Sequence, residues 1–262
     1  MTPTGVAPPD PETHGTVPSF ESIDLDDPGP LLAAGVCADV FALSDEYVLR
    51  RYRSGRDAGA EVAVLEHVVG LGFPAPRVYA SQGPLLLMER LHGPTLLQAL
   101  AAGEVSLTDG AAVLADLHAR LHALPVPAAW DGGDESWPHA TGGPAIVHLD
   151  LHPGNVILTS TGPAVVDWAN ARTGTPALDV VVTALVLAEV AVDAGGDYSH
   201  AARALLVAYL AHTDLAHADT DVLAVLDDAA ALRHQDPALV SGEYELVAPA
   251  VALVRTLVEL AR

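Results

Sequence analysis

Within Ala145–Ala171, AIVHLDLHPGNVILTSTGPAVVDWANA, two apolar runs enclose His148, Asp150, His152, Asn155 and Asp167. VILT and PAVVDW have strand composition and flank the turn Ser160-Thr161-Gly162, so a hairpin centred near Thr161 pairs residues whose numbers sum to about 322. That register sets Asn155 opposite Asp167, with Cβ atoms ~4.5–5.5 Å apart, close enough for an amide oxygen and a carboxylate to share a hard cation such as Mg²⁺. Asp150 precedes Asn155 on a loop that Pro153 and Gly154 force to turn tightly. A carboxylate beside a cation-binding pair suits phosphoryl transfer, in which metal ions neutralise phosphate charge and a placed carboxylate accepts the proton of the attacking hydroxyl. His148 and His152 on either side of Asp150 also admit a metal-hydrolase site, since imidazole and carboxylate ligate zinc, although no third histidine follows at useful spacing.

These groups need a frame. Residues 1–20 are rich in Pro, Thr and Gly with no apolar repeat and read as a disordered or loosely attached tail. ADVFALS (38–44) and YVLRRYR (47–53) form a hairpin across Asp45-Glu46, and EVAVLEHVVGLG (61–72) has helical spacing that ends on glycine. FPAPRVYAS and PLLLMERLHG supply two more strands, completing a small first lobe over 21–91. Beyond it, over 92–262, the pattern is mainly helical. LTDGAAVLADLHARLHALP has Thr108 or Asp109 as its cap, and TPALDVVVTALVLAEVAV starts on Thr175-Pro176 and is apolar all round, as a buried helix would be. Further helices are expected near 199–212, 219–233 and 242–262. His118 and His122, at i and i+4 with no acid between them, read as partly exposed helix residues.

Composition narrows the partners. The 262 residues hold 34 acidic against 12 basic side chains, a formal charge of -22, and none of the basic ones is lysine. That balance argues against nucleic acid or an anionic membrane and suits a small cationic molecule, or it serves solubility alone. Any fixed positive charge on a phosphate must come from arginine. No apolar run is long enough for a membrane span, the N-terminus lacks signal-peptide blocks, and Cys37 is a lone cysteine; the expectation is a cytoplasmic protein, a monomer or weak dimer.

The order His-x-Asp-x-x-x-x-Asn, then a strand and Asp, is that of the catalytic loop and metal-binding Asp of protein kinases. Trp168-Ala169 stands where Phe-Gly would follow. HLDLHPGNVIL with VVDW resembles the aminoglycoside phosphotransferase and choline kinase-like family, from about Leu31 to Arg262. The resemblance implies an α+β, two-lobed protein-kinase-like fold using Mg²⁺ and ATP, with GTP possible. It implies Asp150 as catalytic base, Asn155 and Asp167 as metal ligands, His148 as a brace of the loop and Asp179 in TPALD as its anchor. Arg50 then falls on the β3 lysine position, where the family accepts arginine, and Glu61, with Glu66 as fallback, is its acidic partner. Glu89, Arg90 and Leu91 resemble the hinge that binds adenine, and AAGVCADVFAL, with the single glycine Gly35, is the nucleotide-covering loop.

The acceptor is less defined. Acidity and resemblance favour an aminoglycoside-like polyamine phosphorylated on a hydroxyl, with Glu189, Asp193, Glu243 and Glu245 as candidate contacts. A choline-type ammonium would want an aromatic cage, and aromatics are 5% of the chain. Amino sugars and choline-like alcohols remain open, as does a catalytically silent nucleotide-binding regulator, which would not need Asp150.

Overall fold

The computed structural model describes residues 17–127, 142–193, 196, 198–213, 222–236, 239 and 242–261. Most of the expected N-terminal tail, the start of the helix expected from 219, and Arg262 lie outside the described residues.

The first lobe is an antiparallel sheet of five strands in the order β1-β2-β3-β5-β4, made of β1 (Leu31–Ala34), β2 (Ala38–Ala42), β3 (Tyr47–Tyr52), β4 (Val78–Gln82) and β5 (Leu85–Glu89). The β2–β3 hairpin turns at Ser44, whose hydroxyl accepts the N–H groups of Glu46 and Tyr47. β1 is a strand that the sequence does not announce, because LLAA has no alternation and all four residues are exposed. Helix α1 (Gly59–Gly70) lays Glu61, Val64, Leu65 and Val68 on the sheet. The opposite face is covered by Phe20, Ile23 and Leu43 packed on Phe41, Leu49 and Leu85, so Phe20, the last residue assigned to the tail, belongs to the packed lobe.

The second lobe contains α2 (Leu96–Ala102), α3 (Leu107–His122), α4 (Pro176–Val192), α5 (Ser199–His212), α6 (Val222–His234) and α7 (Tyr244–Ala261). Two small antiparallel pairs interrupt the helices, β6 (Ala145–Val147) with β9 (Arg172–Gly174) and β7 (Val156–Thr159) with β8 (Gly162–Val165). Helix α4 begins as expected, with Thr175 as cap and Pro176 in the first turn, and it is buried nearly all round among α5, α6 and α7. The cap of α3 is Ser106 and not Thr108 or Asp109; its hydroxyl accepts the Asp109 N–H, which leaves Leu107 to begin the helix. No described helix is long and apolar enough to cross a membrane.

One continuous apolar cluster runs from Val48 and Leu65 in the first lobe through Leu96 and Val156 to Leu185 and Val254 in the second. The lobes join at Gly93, where φ is 144° and an added Cβ would lie 2.0 Å from the Leu158 carbonyl oxygen. Pro94 O accepts the Leu158 N–H at 2.9 Å next to it. Both the backbone angle and the approach exclude a side chain. Gly93→Ala should therefore cost ~1–3 kcal/mol or more of stability, read as a lower urea midpoint at unchanged m-value.

Candidate active site

The hairpin between Asn155 and Asp167 is shorter at its turn than expected. Val156 pairs with Val165 and Thr159 with Gly162, so Ser160-Thr161 is a two-residue turn and paired numbers sum to 321, not 322. Asn155 consequently lies opposite Val166, whose N–H it accepts at 2.9 Å, and not opposite Asp167. Asp167 follows as the chain leaves the ladder with φ of 64°, the left-handed region that a short polar residue tolerates best. Asn155 and Asp167 still line one cavity of about 390 Å³ between the lobes, together with Arg50, Glu61, Leu91 and Trp168.

Arg50, on the central strand β3, is buried between two acids. Its Nη2 donates to Asp167 Oδ1 at 2.5 Å, and its Nε lies 3.3 Å from Glu61 Oε2 as an ion pair without hydrogen-bond geometry. Tyr52 donates its hydroxyl to the same Glu61 oxygen. Glu66 is exposed on the other side of α1, so the partner of Arg50 is Glu61. Burial works against the Arg50 charge, and Glu61 and Asp167 overcome it, holding the guanidinium above its usual pKa. Burial likewise raises Glu61, whereas at Asp167 the effect of burial is outweighed by Arg50 and the carboxyl sits below its usual range.

Asp150 is 24% exposed in its side chain, on the loop before the 3₁₀ turn Pro153–Asn155. Asn155 Nδ2 donates to the Asp150 carbonyl at 2.9 Å and to its Oδ2 at 3.1 Å. His152 Nε2 stands 3.8 Å from Oδ1. Apolar surroundings, and then the charge of Asp167, push the Asp150 carboxyl up to about 8. With both amide protons of Asn155 directed at Asp150, its Oδ1 remains for a cation. Two hard oxygen donors, the Asn155 amide and the Asp167 carboxylate on one cavity wall, fit Mg²⁺ by donor type.

The loop is held from below by Asp179, in the first turn of α4 and 0% exposed. The N–H groups of His148 and Leu149 donate to its Oδ2 and Oδ1 at 2.9 and 2.7 Å, where Leu149 takes φ of 61°. His122 Nε2 lies 2.8 Å from Oδ2 and His118 Nε2 3.6 Å, with His118 tied in turn to the Tyr209 hydroxyl at 2.9 Å. The reading of His118 as partly exposed is thus corrected, since it is buried, while His122 keeps a little exposure; both pack beside a carboxylate 57 residues from His122. Against the effect of burial, His118 and His122 hold the Asp179 carboxyl well below its usual range. Thr183, one turn further along α4, donates to the Leu151 carbonyl at 2.8 Å.

His148 is fully buried, edge-on to the Trp168 ring. Burial lowers its pKa to about 4, so the ring is neutral and carries its proton on Nε2, which is 3.2 Å from the Val166 carbonyl. It therefore ties the catalytic-type loop to the strand before Asp167. His152 turns the other way, with Nδ1 accepting the Gly154 N–H, and the two imidazoles do not converge as a zinc site would require.

Other expected positions fall differently. Glu89, Arg90 and Leu91 all line the cavity, but the Glu89 and Arg90 N–H groups already donate to the carbonyls of Arg77 and Glu46. Glu189, expected to meet an acceptor, is buried and held by the Arg233 fork, Nη2 at 2.8 Å and Nε at 3.1 Å; Arg233 Nη1 also reaches Asp236 at 2.6 Å. Asp193 is half-buried at the end of α4, and Glu243 and Glu245 are exposed at the start of α7. Tyr52, His118, His122, Thr183 and Arg233 belong to the site without being marked as site residues by the sequence. Their partners are distant in the chain, and only the i, i+4 histidines leave a visible trace.

A family model described as the phosphotransferase enzyme family matches residues 30–142 and 129–224. The chain belongs to this family. Solved structures with the same protein-kinase-like fold include an amicoumacin kinase, hAmiN, in complex with AMP-PNP, Ca²⁺ and Ami (14% identity over 89% of each chain, TM-score 0.56). The choline kinase LicA of Streptococcus pneumoniae is similar over 87% of this chain and 94% of its own, at 15% identity and TM-score 0.52. An APH(2")-IIa complex with gentamicin gives 15% identity over 86% and 90%, with TM-score 0.51. No curated protein sequence matches this family member.

Removing Arg50 strips Glu61 of its counter-charge inside the protein. Arg50→Met should cost ~3–5 kcal/mol in chemical denaturation, and the double variant with Glu61→Gln should recover part of it. Asp179 gives a pH signature. Its folded pKa is lowered, so its stabilisation is complete above the unfolded carboxylate pKa of ~3.9 and is lost as pH falls through the folded value. The stability gap between the native protein and Asp179→Asn should be constant from about pH 7 to 5 and close below about pH 4 in denaturant titrations.

Proposed function

We propose that the protein is a Mg²⁺-dependent O-phosphotransferase that moves a phosphoryl group from ATP, or GTP, to a hydroxyl of a small, positively charged molecule. The observation that carries this reading is the convergence of Arg50, Glu61, Asn155 and Asp167 on one interlobe cavity, with Asp150 hydrogen-bonded to Asn155 at its edge. A nucleotide in that cavity would meet the backbone at Leu91, because the neighbouring N–H groups are already taken, and its phosphates would meet Arg50. The guanidinium has five donors and can release Asp167 to a cation while keeping Glu61.

Asn155 Oδ1 and Asp167 would hold Mg²⁺, which when bound neutralises phosphate charge. Asp150 accepts the proton of the acceptor hydroxyl at a carboxylate oxygen. Asn155 Nδ2 fixes the orientation of that carboxylate, and the contacts of Asp179 and Thr183 with His148, Leu149 and Leu151 fix the loop. Placement of this kind is most of what phosphoryl transfer asks of a protein. A silent nucleotide-binding regulator would need none of the arrangement around Asp150.

The test is product mass spectrometry with Mg²⁺-ATP or Mg²⁺-GTP and a panel of aminoglycosides, amino sugars, choline and related alcohols. Asp150→Asn should lower turnover by ~10²-fold or more while thermal stabilisation by Mg²⁺-ATP persists. Unchanged turnover would remove Asp150 as the base. A base must be deprotonated to act, so the rate should rise with pH on its acid limb. Its midpoint should lie no higher than about 8, since a cation on Asp167 removes one of the causes that raise the Asp150 carboxyl.

A further inference from the structure

Gly154 lines the interlobe cavity and also a second, smaller cavity of about 160 Å³, so one residue of backbone separates the two. The second cavity is enclosed by α2, α4 and α5. Leu187, Ala202 and Leu205 form its buried floor. Its rim is made of Leu97, Val190 and Tyr198, which are 51%, 43% and 61% exposed. Large apolar side chains left in water around a concave site mark a place where something apolar is received. Among the described residues the polar side-chain groups in the lining are the His152 imidazole and the Tyr198 hydroxyl, with no carboxylate or guanidinium.

His152 connects this cavity to the proposed base. Its ring lines the cavity, its Nδ1 is fixed by the Gly154 N–H at 3.1 Å, and its Nε2 is 3.8 Å from Asp150 Oδ1. A Cβ on Gly154 would come within 2.8 Å of the same ring, so the glycine lets the imidazole pack flat on the turn. A single fixed ring therefore spans from the carboxylate to the apolar cavity.

We infer that the cavity is the apolar subsite of the acceptor: the phosphorylated molecule is an amino alcohol that bears a compact hydrocarbon group. This rests on the phosphotransferase reading given above. The volume is close to that of apolar cavities that take benzene, which sets the group at roughly six to eight carbons. An acceptor made only of amines and hydroxyls would leave those groups unpaired against Leu187, Val190 and Leu205. Among the described residues the wall offers such an acceptor no anion.

The experiment compares kcat/KM of the full chain, with Mg²⁺-ATP, for phenylalaninol and leucinol against 2-aminoethanol and neamine. Burial of the hydrocarbon group should favour phenylalaninol over 2-aminoethanol by about 10- to 100-fold. Val190→Asp puts a charge on the exposed rim without touching the core, and Ala202→Phe fills the floor. Each should reduce that ratio about tenfold or more, and Val190→Asp alone decides the matter if the filled variant does not fold. Saturation-transfer NMR of phenylalaninol on the same proteins reads occupancy without turnover. Equal kcat/KM for bare and apolar acceptors, or a ratio unmoved in Val190→Asp, would overturn the subsite and leave phosphotransfer standing. No product from any acceptor, with phenylalaninol binding still lost in Val190→Asp, would overturn phosphotransfer and the acceptor assignment with it.

Discussion

Asp179 keeps its negative charge with no exposure to water, and the shape of the loop above it follows from how that charge is solvated. Two backbone N–H groups and two imidazoles take the place of water, and the donors at His148 and Leu149 can reach both carboxylate oxygens only if Leu149 adopts a positive φ. Once those two residues are fixed, Asp150 leaves the loop in a set direction and Asn155 is near enough to hold it. The apolar helix α4 supplies the rigidity, because a carboxylate at the start of a helix packed on every side has little freedom to move. A buried charge is tolerated only when fully paired, so stability and the geometry of the cleft are the same requirement here.

The chemistry is readable in the sequence because His148 to Asn155 is a short, ordered string whose spacing is set by one turn. Asp179, in the first turn of a well-capped helix, is readable for the same reason. The facing of Asn155 is not, since a turn of two residues in place of three shifts the ladder by one, and period-two structure turns such a shift into a change of face. His118 and His122 stand on their helix in plain view, but a packed helical histidine is told from a solvent-facing one only by its partner, and that partner is on α4. Glu189 misleads in the same way. An acid on a helix near the cleft reads as an open contact until Arg233, 44 residues later, is seen to occupy it.

The two lobes meet the cleft with different chemistry. The first lobe brings Arg50 and Glu61, a set that Asp167 of the second lobe closes, and its Val40, Val48 and Met88 give the cavity an apolar roof. The second lobe pairs Arg233 with Glu189 and Asp236, so a single arginine again serves two acids. The outer field concentrates cations near the protein, and the inner pairs decide where charge acts.

Arginine on β3, Arg50, has a chemical consequence of its own. The 262 residues contain no lysine ε-amine anywhere. Amine-directed acylating reagents would find no nucleophile at Arg50, because a guanidinium stays protonated and does not acylate under such conditions. Methods that label side chains through lysine acylation would pass over this protein even when it is abundant.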